Sequence, residues 1–346
     1  MKGSHFLEHE PIDRLYEWFA DETAATSPVW ERLCRWIART PQVHRRLDSL
    51  PGQARQPNRL LATIRFLDGP TQPGDQFTAW LDDHWAEVEH VILTRTTQTN
   101  EPGRCAVVAP VLASLPQPVA LLELGTSAGL CLLPDRYSYS YDGGARAPSA
   151  AWPGAPAFPC RQEGTPPGDP ATLEVVARHG LDLNPLDPAD PDTQRWLRAL
   201  IWPGEEDREQ RLAAALRIAA EDPPPLSQAD LTQNPSAVIT AAVDALRERA
   251  PGATPVIIHS AFLAYLSRDD RQAVVDAIRA SGARWISFEG HRVVPGIDVA
   301  SLGEIPESST FAVALDGEPL GWAQAHGRSV CWVAPGAKEF TEVIVG

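Results

Sequence analysis

Apolar positions along the chain change their rhythm near residue 115. Before that point they recur every three or four residues, the spacing of an amphipathic helix. In "SPVWERLCRWIA", Ser27 suits an N-cap and Pro28 a first helical position, with Trp30, Leu33, Cys34 and Ile37 on one face. "NRLLATIRFL" predicts a shorter helix. "FTAWLDDHWAEVEHVIL" predicts one helix with Phe77, Trp80, Leu81, Trp85, Val88, Val91 and Ile92 on one side, His84 among them, and Asp82 and Asp83 turned away. "GRCAVVAPVLASL" predicts a fourth helix. From residue 118 the chain alternates between strand and helix patterns. Strands are expected at "PVALLELG", at "GLDLNP" (180–185), at "PVIIHS" (255–260) and at "RWISFEG" (284–290). Helices are expected at 191–201, 205–221, 235–249 and 268–281. "TFAVALDG" and "RSVCWVAP" read as a terminal antiparallel pair. Alternation of this kind predicts a mostly parallel sheet covered on both faces. Residues 137–178, rich in Pro, Gly and Ala, interrupt it as an insertion after the first strand. Within that insertion, Tyr137, Tyr139 and Tyr141 alternate as a hairpin strand would.

"LLELGTSAGL" adds chemistry to this pattern. A strong strand runs into Glu123-Leu-Gly125-Thr-Ser127-Ala-Gly129, where small residues let backbone approach a ligand and helix-start amides suit a polar or anionic group. Asp182 stands where the second strand's acid would hold ribose hydroxyls, and Asp230 where a third strand's acid would meet an adenine. The expected fold is therefore α/β and Rossmann-like, of the class I methyltransferase type, with an N-terminal helical cap over 1–114 and an α/β core over 115–346. If S-adenosylmethionine is used, Glu123, Gly125, Ser127, Gly129, Asp182 and Asp230 are its candidate contacts. However, about 57 positions separate Gly125 from Asp182, against roughly 30 in a plain βαβ unit. The insertion either wraps the site or fills the cofactor's place.

Bulk properties narrow the classes. The 346 residues allow one to three domains. A formal charge of −15, from 45 acidic and 30 basic residues, argues against nucleic-acid or anionic-membrane partners. Five scattered cysteines without a CxxC read as reduced thiols, not a disulfide framework or zinc site. No metal spacing and no GxSxG elbow occur. Without an apolar leader in "MKGSHFLEHEP" or any run of spanning length, the expected location is cytoplasmic.

"TQTNEPGR" (97–104), "LLELGTSAGLCLLPDRYSYSY", "GLDLNPLDPADP", "PVIIHSAFLAYLS" and "AHGRSVCW" occur in this order. Together they resemble the bacterial family catalogued as domain of unknown function 2332, common in actinobacteria, over nearly the whole chain. That resemblance implies a helical N-terminal part and a methyltransferase-like core, without a settled chemistry. Where the family usually reads Gly-Leu-Asn-Leu after Ser-Ala-Gly, this chain has Cys131, and its third strand end reads Ala229-Asp230.

Other polar residues supply candidates for catalysis. Gln98, Thr99, Asn100, Glu101 and Arg104 form either a helix start, with Asn100 as N-cap, or a polar pocket wall. Asp82, Glu101 and His259 are the candidate catalytic groups, His259 because it ends a buried strand. Arg95, Gln98, Asn100, Arg104, Arg136 and Tyr137 are candidates for binding substrate or an anionic leaving group. Three classes fit: a cofactor-independent substitution that closes an amine ring, such as an aziridine, with loss of sulfate or phosphate; S-adenosylmethionine-dependent methyl transfer; and a non-catalytic scaffold. Enzymes of azinomycin-type actinobacterial pathways are the comparison for the first. That reading requires the cap and the strand ends to share a cavity. It takes a small-molecule substrate, free or presented by a carrier protein, and allows a partner subunit.

Overall fold

The computed structural model describes residues 10–98, 100–142, 144–305 and 311–333. The chain forms two compact units, Met1–Thr99 with Asp190–Ala213, and Asn100–Ala189 with Ala214–Gly346.

Helices α1 (Ile12–Thr23), α2 (Pro28–Ile37), α3 (Pro41–Leu47), α4 (Pro57–Phe66), α5 (Asp75–Asp83), α6 (Trp85–Thr94) and α8 (Pro191–Ala199) build the first unit. Ser27 caps α2, its hydroxyl accepting from Trp30 N at 3.5 Å. The apolar face expected there is buried, with Tyr16, Trp30, Leu33, Ile37, Leu60 and Phe77 in one core. The single helix expected over 77–93 breaks at His84. Its backbone leaves the helical region (φ −109°, ψ 11°), and its Nδ1 lies 2.9 Å from Trp80 O while its ring stacks on Trp80 at 4.8 Å.

The second unit is built on an eleven-stranded sheet of order β3-β2-β4-β11-β10-β9-β8-β7-β1-β5-β6. Its strands are β1 (Val119–Leu124), β2 (Ser138–Tyr141), β3 (Gly144–Arg146), β4 (Ala157–Glu163), β5 (Val175–Asp182), β6 (Leu226–Gln228), β7 (Thr254–Ser260), β8 (Arg284–Gly290), β9 (Phe311–Leu315), β10 (Glu318–Ala323) and β11 (Ser329–Trp332). From β6 to β8 every pairing is parallel. Helices α7 (Cys105–Ala113), α10 (Pro235–Arg249) and α11 (Arg268–Ala280) belong to this unit, and α9 (Glu206–Glu221) carries the chain into it. The mixed, mostly parallel α/β architecture is the one the pattern implied. The unit boundary, however, falls at Asn100 and not near 114, because α7 is buried at nearly every position and packs among the strands.

Two segments differ from the reading of the sequence. No crossover helix follows β1. The chain makes one 3-10 turn at Leu130–Leu132, adds β2, β3 and β4 to the far edge beyond β11, and returns as β5 beside β1. The expected strand over 180–185 thus starts earlier, inside the presumed insertion, and ends at Asp182. The expected terminal pair is separated by β10, because Asp316 and Gly317 both adopt positive φ (54° and 90°) and close a two-residue hairpin. Thr310, the first residue of that pair, lies outside the described residues.

β1 lies between β5 and β7, so the two neighbouring strands take up its backbone groups and each side chain faces one of two helix-covered layers. Ala120, Leu122 and Leu124 join the core beneath α10 and α11. Glu123 has the opposite parity. The return to β5 is tied by Arg178, whose Nη1 and Nη2 reach the Asp135 carboxylate at 3.1 and 3.0 Å while Nη1 also donates to Leu132 O. Asp135 is 1% exposed. Asp135→Ala would leave the half-buried arginine unpaired; urea denaturation should show a loss of about 3–5 kcal/mol, and a loss under about 1 kcal/mol would refute the anchoring role.

Candidate functional site

A 3-10 turn, Pro102–Arg104, leads into α7. Its N-cap is Glu101, not the expected Asn100: Glu101 Oε1 accepts from Gly103 N at 3.0 Å. Asn100 instead braces the glycine loop, donating to Thr126 O and accepting from Leu130 N, both at 3.3 Å. The turn is pressed against the β10–β11 hairpin. A Cβ on Gly327, which has φ +75°, would lie 2.1 Å from Gly103 O, so no larger residue fits. This contact seats His326 beside Glu101, with Nδ1 3.5 Å from Oε2. Glu101 is buried, and the His326 side chain is 31% exposed. More than two hundred positions separate these two residues along the chain.

Arg104 is 5% exposed. Its Nε donates to Ala325 O at 3.0 Å, and its Nη1 to Ser260 O at 3.2 Å and Ser260 Oγ at 3.5 Å. These acceptors are all neutral. Among the described residues no carboxylate pairs with the guanidinium, and Nη2 has no hydrogen-bond partner. Buried charges are ordinarily paired, so this guanidinium keeps donor capacity that its neutral acceptors do not use.

Beside Arg104 lies a cavity of about 10 Å³, room for roughly one water. Cys105, Glu123, Cys131, Ile258 and Ser260 help to line it. Burial pushes the Glu123 carboxyl well above the usual carboxylate range, opposed by the Thr126 hydroxyl, which donates to Oε2 at 2.7 Å, and by Arg104. Burial thus favours the protonated form of Glu123, which weakens its hold on the arginine.

His259 also borders this cavity, but its imidazole is turned to other partners. In register, Leu124 opposes His259 and Glu123 opposes Ile258, so the imidazole shares the face of Leu122, Leu124 and the α10–α11 core. Trp285 Nε1 donates to its Nε2 at 2.9 Å, which leaves the proton on Nδ1, directed at Glu289 Oε1 2.8 Å away. Glu289 Oε1 also accepts from Phe262 N and Leu263 N. With both ring nitrogens engaged, the candidate base becomes a strut that fixes the turn after β7. Trp285 was the missed partner, because two residues on adjacent parallel strands carry no joint signal in sequence.

The glycine loop has the expected backbone, with positive φ at Gly125, Ser127 and Gly129. Its amides point inward, however. Gly125 N and Thr126 N reach Leu181 O, Ser127 N reaches Asp182 Oδ2, Gly129 N reaches Thr126 O, and Leu130 N reaches Asn100. Asp182 Oδ1 accepts from Asn184 N, and Asp230 caps its own turn through Thr232. Phe262 covers Gly125 so closely that a Cβ there would be 2.5 Å from its ring. Most of the groups that would meet S-adenosylmethionine are thus engaged by the protein itself, whereas the buried Ser127 hydroxyl has no partner.

The other expected ligand contacts have structural partners. Arg95 pairs with Asp192 and lies over Phe66, 4.5 Å from the ring centroid, within the helical unit. Gln98 accepts from Thr96 Oγ1 in that unit, and Thr99 lies outside the described residues. Asp82 is held there by Arg46 and Gln42, both at 3.0 Å. Arg136 pairs with Asp222 at 3.0 Å. Tyr137 is buried, its hydroxyl donating to Leu130 O; Tyr139 and Tyr141 donate to Pro134 O and Ala106 O.

Two tests follow from this geometry. Because the folded Glu123 binds its proton more tightly than the unfolded chain, its stabilising share is complete at acid pH and is lost as pH rises through the raised folded value. Glu123→Gln should therefore flatten the alkaline fall in stability by up to about 1.4 kcal/mol per pH unit, measured as Tm between about pH 6 and about pH 9. An unchanged slope would show that Glu123 is ionised. Gly327→Ala should cost about 2–4 kcal/mol in thermal unfolding, since both φ and space oppose a methyl group; an unaltered Tm would refute the close approach.

Comparison with known proteins agrees with the resemblance first read from the motifs. No curated protein and no solved structure matches the chain. The family model described as "Uncharacterized protein conserved in bacteria (DUF2332)" matches residues 13–332. The chain therefore belongs to this bacterial DUF2332 family.

Proposed function

We propose that the protein is an enzyme of specialised small-molecule metabolism that displaces a sulfate or phosphate from saturated carbon by an amine of the same molecule, closing a small ring such as an aziridine. The observation that carries this reading is Arg104, a buried guanidinium held by neutral acceptors, with no carboxylate pairing it and no hydrogen bond to Nη2 among the described residues. It lies where strand order reverses between β1 and β7, the usual ligand position in open α/β sheets. In the proposed step Glu101, beside His326, takes a proton from the substrate ammonium. The freed nitrogen lone pair forms the C–N bond, the C–O bond breaks, and its electron pair leaves with the sulfate or phosphate, whose charge Arg104 stabilises. Neutral Glu123 avoids repelling that anion. Asp82, engaged by Arg46 and Gln42, has no part in this step, and no nucleotide-borne electrophile enters it.

The test uses 2-aminoethyl hydrogen sulfate and its phosphate analogue, with released anion followed by ion chromatography and the ring product by NMR. Arg104→Met and Glu101→Gln should each lower kcat/KM by about 100-fold or more. Inorganic sulfate should raise the Tm of the wild type but not of Arg104→Met. Failure of sulfate to stabilise the wild type would remove the anion site. Micromolar binding of S-adenosylmethionine, abolished in Asp182→Ala, would replace this reading with methyl transfer.

A further inference from the structure

Two cysteines meet at the wall of the same cavity. Cys105 opens α7 and Cys131 sits in the 3-10 turn after β1. The Cys105 thiol lies 3.9 Å from Cys131 O, and both cysteines line the cavity. Cys131 Sγ lies 3.4 Å from Glu101 O. Cys105 is buried, whereas Cys131 is only half-buried. We propose that Cys131 and Cys105 form a peroxide-reactive dithiol, in which Cys131 attacks, Cys105 resolves, and Arg104 stabilises the departing oxyanion.

The five cysteines are not equivalent. Burial pushes the thiols of Cys34, Cys105 and Cys331 upward, and that of Cys160 up to about 12. Cys131 is held below the ordinary thiol value, first by the hydrogen bond from Cys105 and then, against burial, by the Arg104 charge. A half-buried thiol whose ionisation a nearby cation favours, next to a second thiol, is the arrangement that peroxide chemistry requires. Cys131 thiolate attacks one oxygen of a hydroperoxide. The O–O bond breaks, the distal oxygen leaves as hydroxide or alkoxide, and Cys131 becomes a sulfenic acid. The leaving oxyanion takes the Cys105 proton. The Cys105 thiolate then attacks Cys131 sulfur, forming the S–S bond and expelling the sulfenic oxygen as hydroxide, which becomes water by taking up the proton that Cys131 released on ionising. Two thiols are oxidised by two electrons and one peroxide is reduced. This chemistry is independent of the proposed substitution and needs no amine substrate.

Native full-length protein is treated with a stoichiometric series of hydrogen peroxide, and its thiols are mapped by peptide mass spectrometry. The expected product is one intramolecular Cys105–Cys131 disulfide, with Cys34, Cys160 and Cys331 still alkylatable. Before oxidation, iodoacetamide should label Cys131 about tenfold or more faster than Cys331, a comparison that needs no variant. Cys105→Ser should accumulate a dimedone-trapped sulfenic acid at Cys131, and Cys131→Ser should form no disulfide. Equal labelling of Cys131 and Cys331, a disulfide to another cysteine, or oxidation confined to Cys331 would each overturn the proposal.

Discussion

Strand β1 is hydrogen-bonded on both sides by parallel neighbours and buried at every position. A strand so placed has no solvent-facing side, and the pleat assigns each side chain to one of two dry layers. Everything polar in the second unit is sorted by that parity. Glu123 goes to the α7 layer, with Arg104, Cys105 and Cys131; His259, in register with Leu124, goes to the α10–α11 layer, with Trp285. Groups one residue apart in register are thereby separated by the thickness of a sheet.

The α7 layer holds an unusual balance of charge. Arg104 is buried among carbonyls, a hydroxyl and thiols, and the nearby carboxyl of Glu123 is pushed toward its neutral form. The α10–α11 layer is the reverse. There Glu289 Oε1 gathers the imidazole and two backbone amides in a fixed turn, while its buried Oε2 has no partner. The first arrangement has donor capacity left over; in the second, both ring nitrogens of His259 serve to fix the turn after β7.

The glycine loop has the positive-φ backbone expected of a nucleotide-binding turn, with most of its amides bonded within the protein. In the usual unit a long crossover helix follows the loop and leaves its first amides free. Here the chain leaves through a single 3-10 turn toward the far sheet edge. Without a helix to point them outward, the amides turn to Leu181, Asp182 and Asn100. The pairing of Asp135 with Arg178 then secures the returning chain.

Period and composition alone determined the helical N-terminal part, the parallel strands and the α2 cap at Ser27, because each depends on neighbours within a few residues. The motifs also placed Glu101 and Arg104 together. The β10 strand was legible afterwards in its Asp-Gly turn, although short and partly exposed strands carry little hydrophobic signal. What remained for the tertiary structure were pairings across long separations: Glu101 with His326, Cys105 with Cys131, His259 with Trp285, and the amides of the loop with Asp182. Each depends on register, strand order or the Gly103–Gly327 approach. A sequence records which donors and acceptors exist; only the packed sheet decides which of them remain unsatisfied.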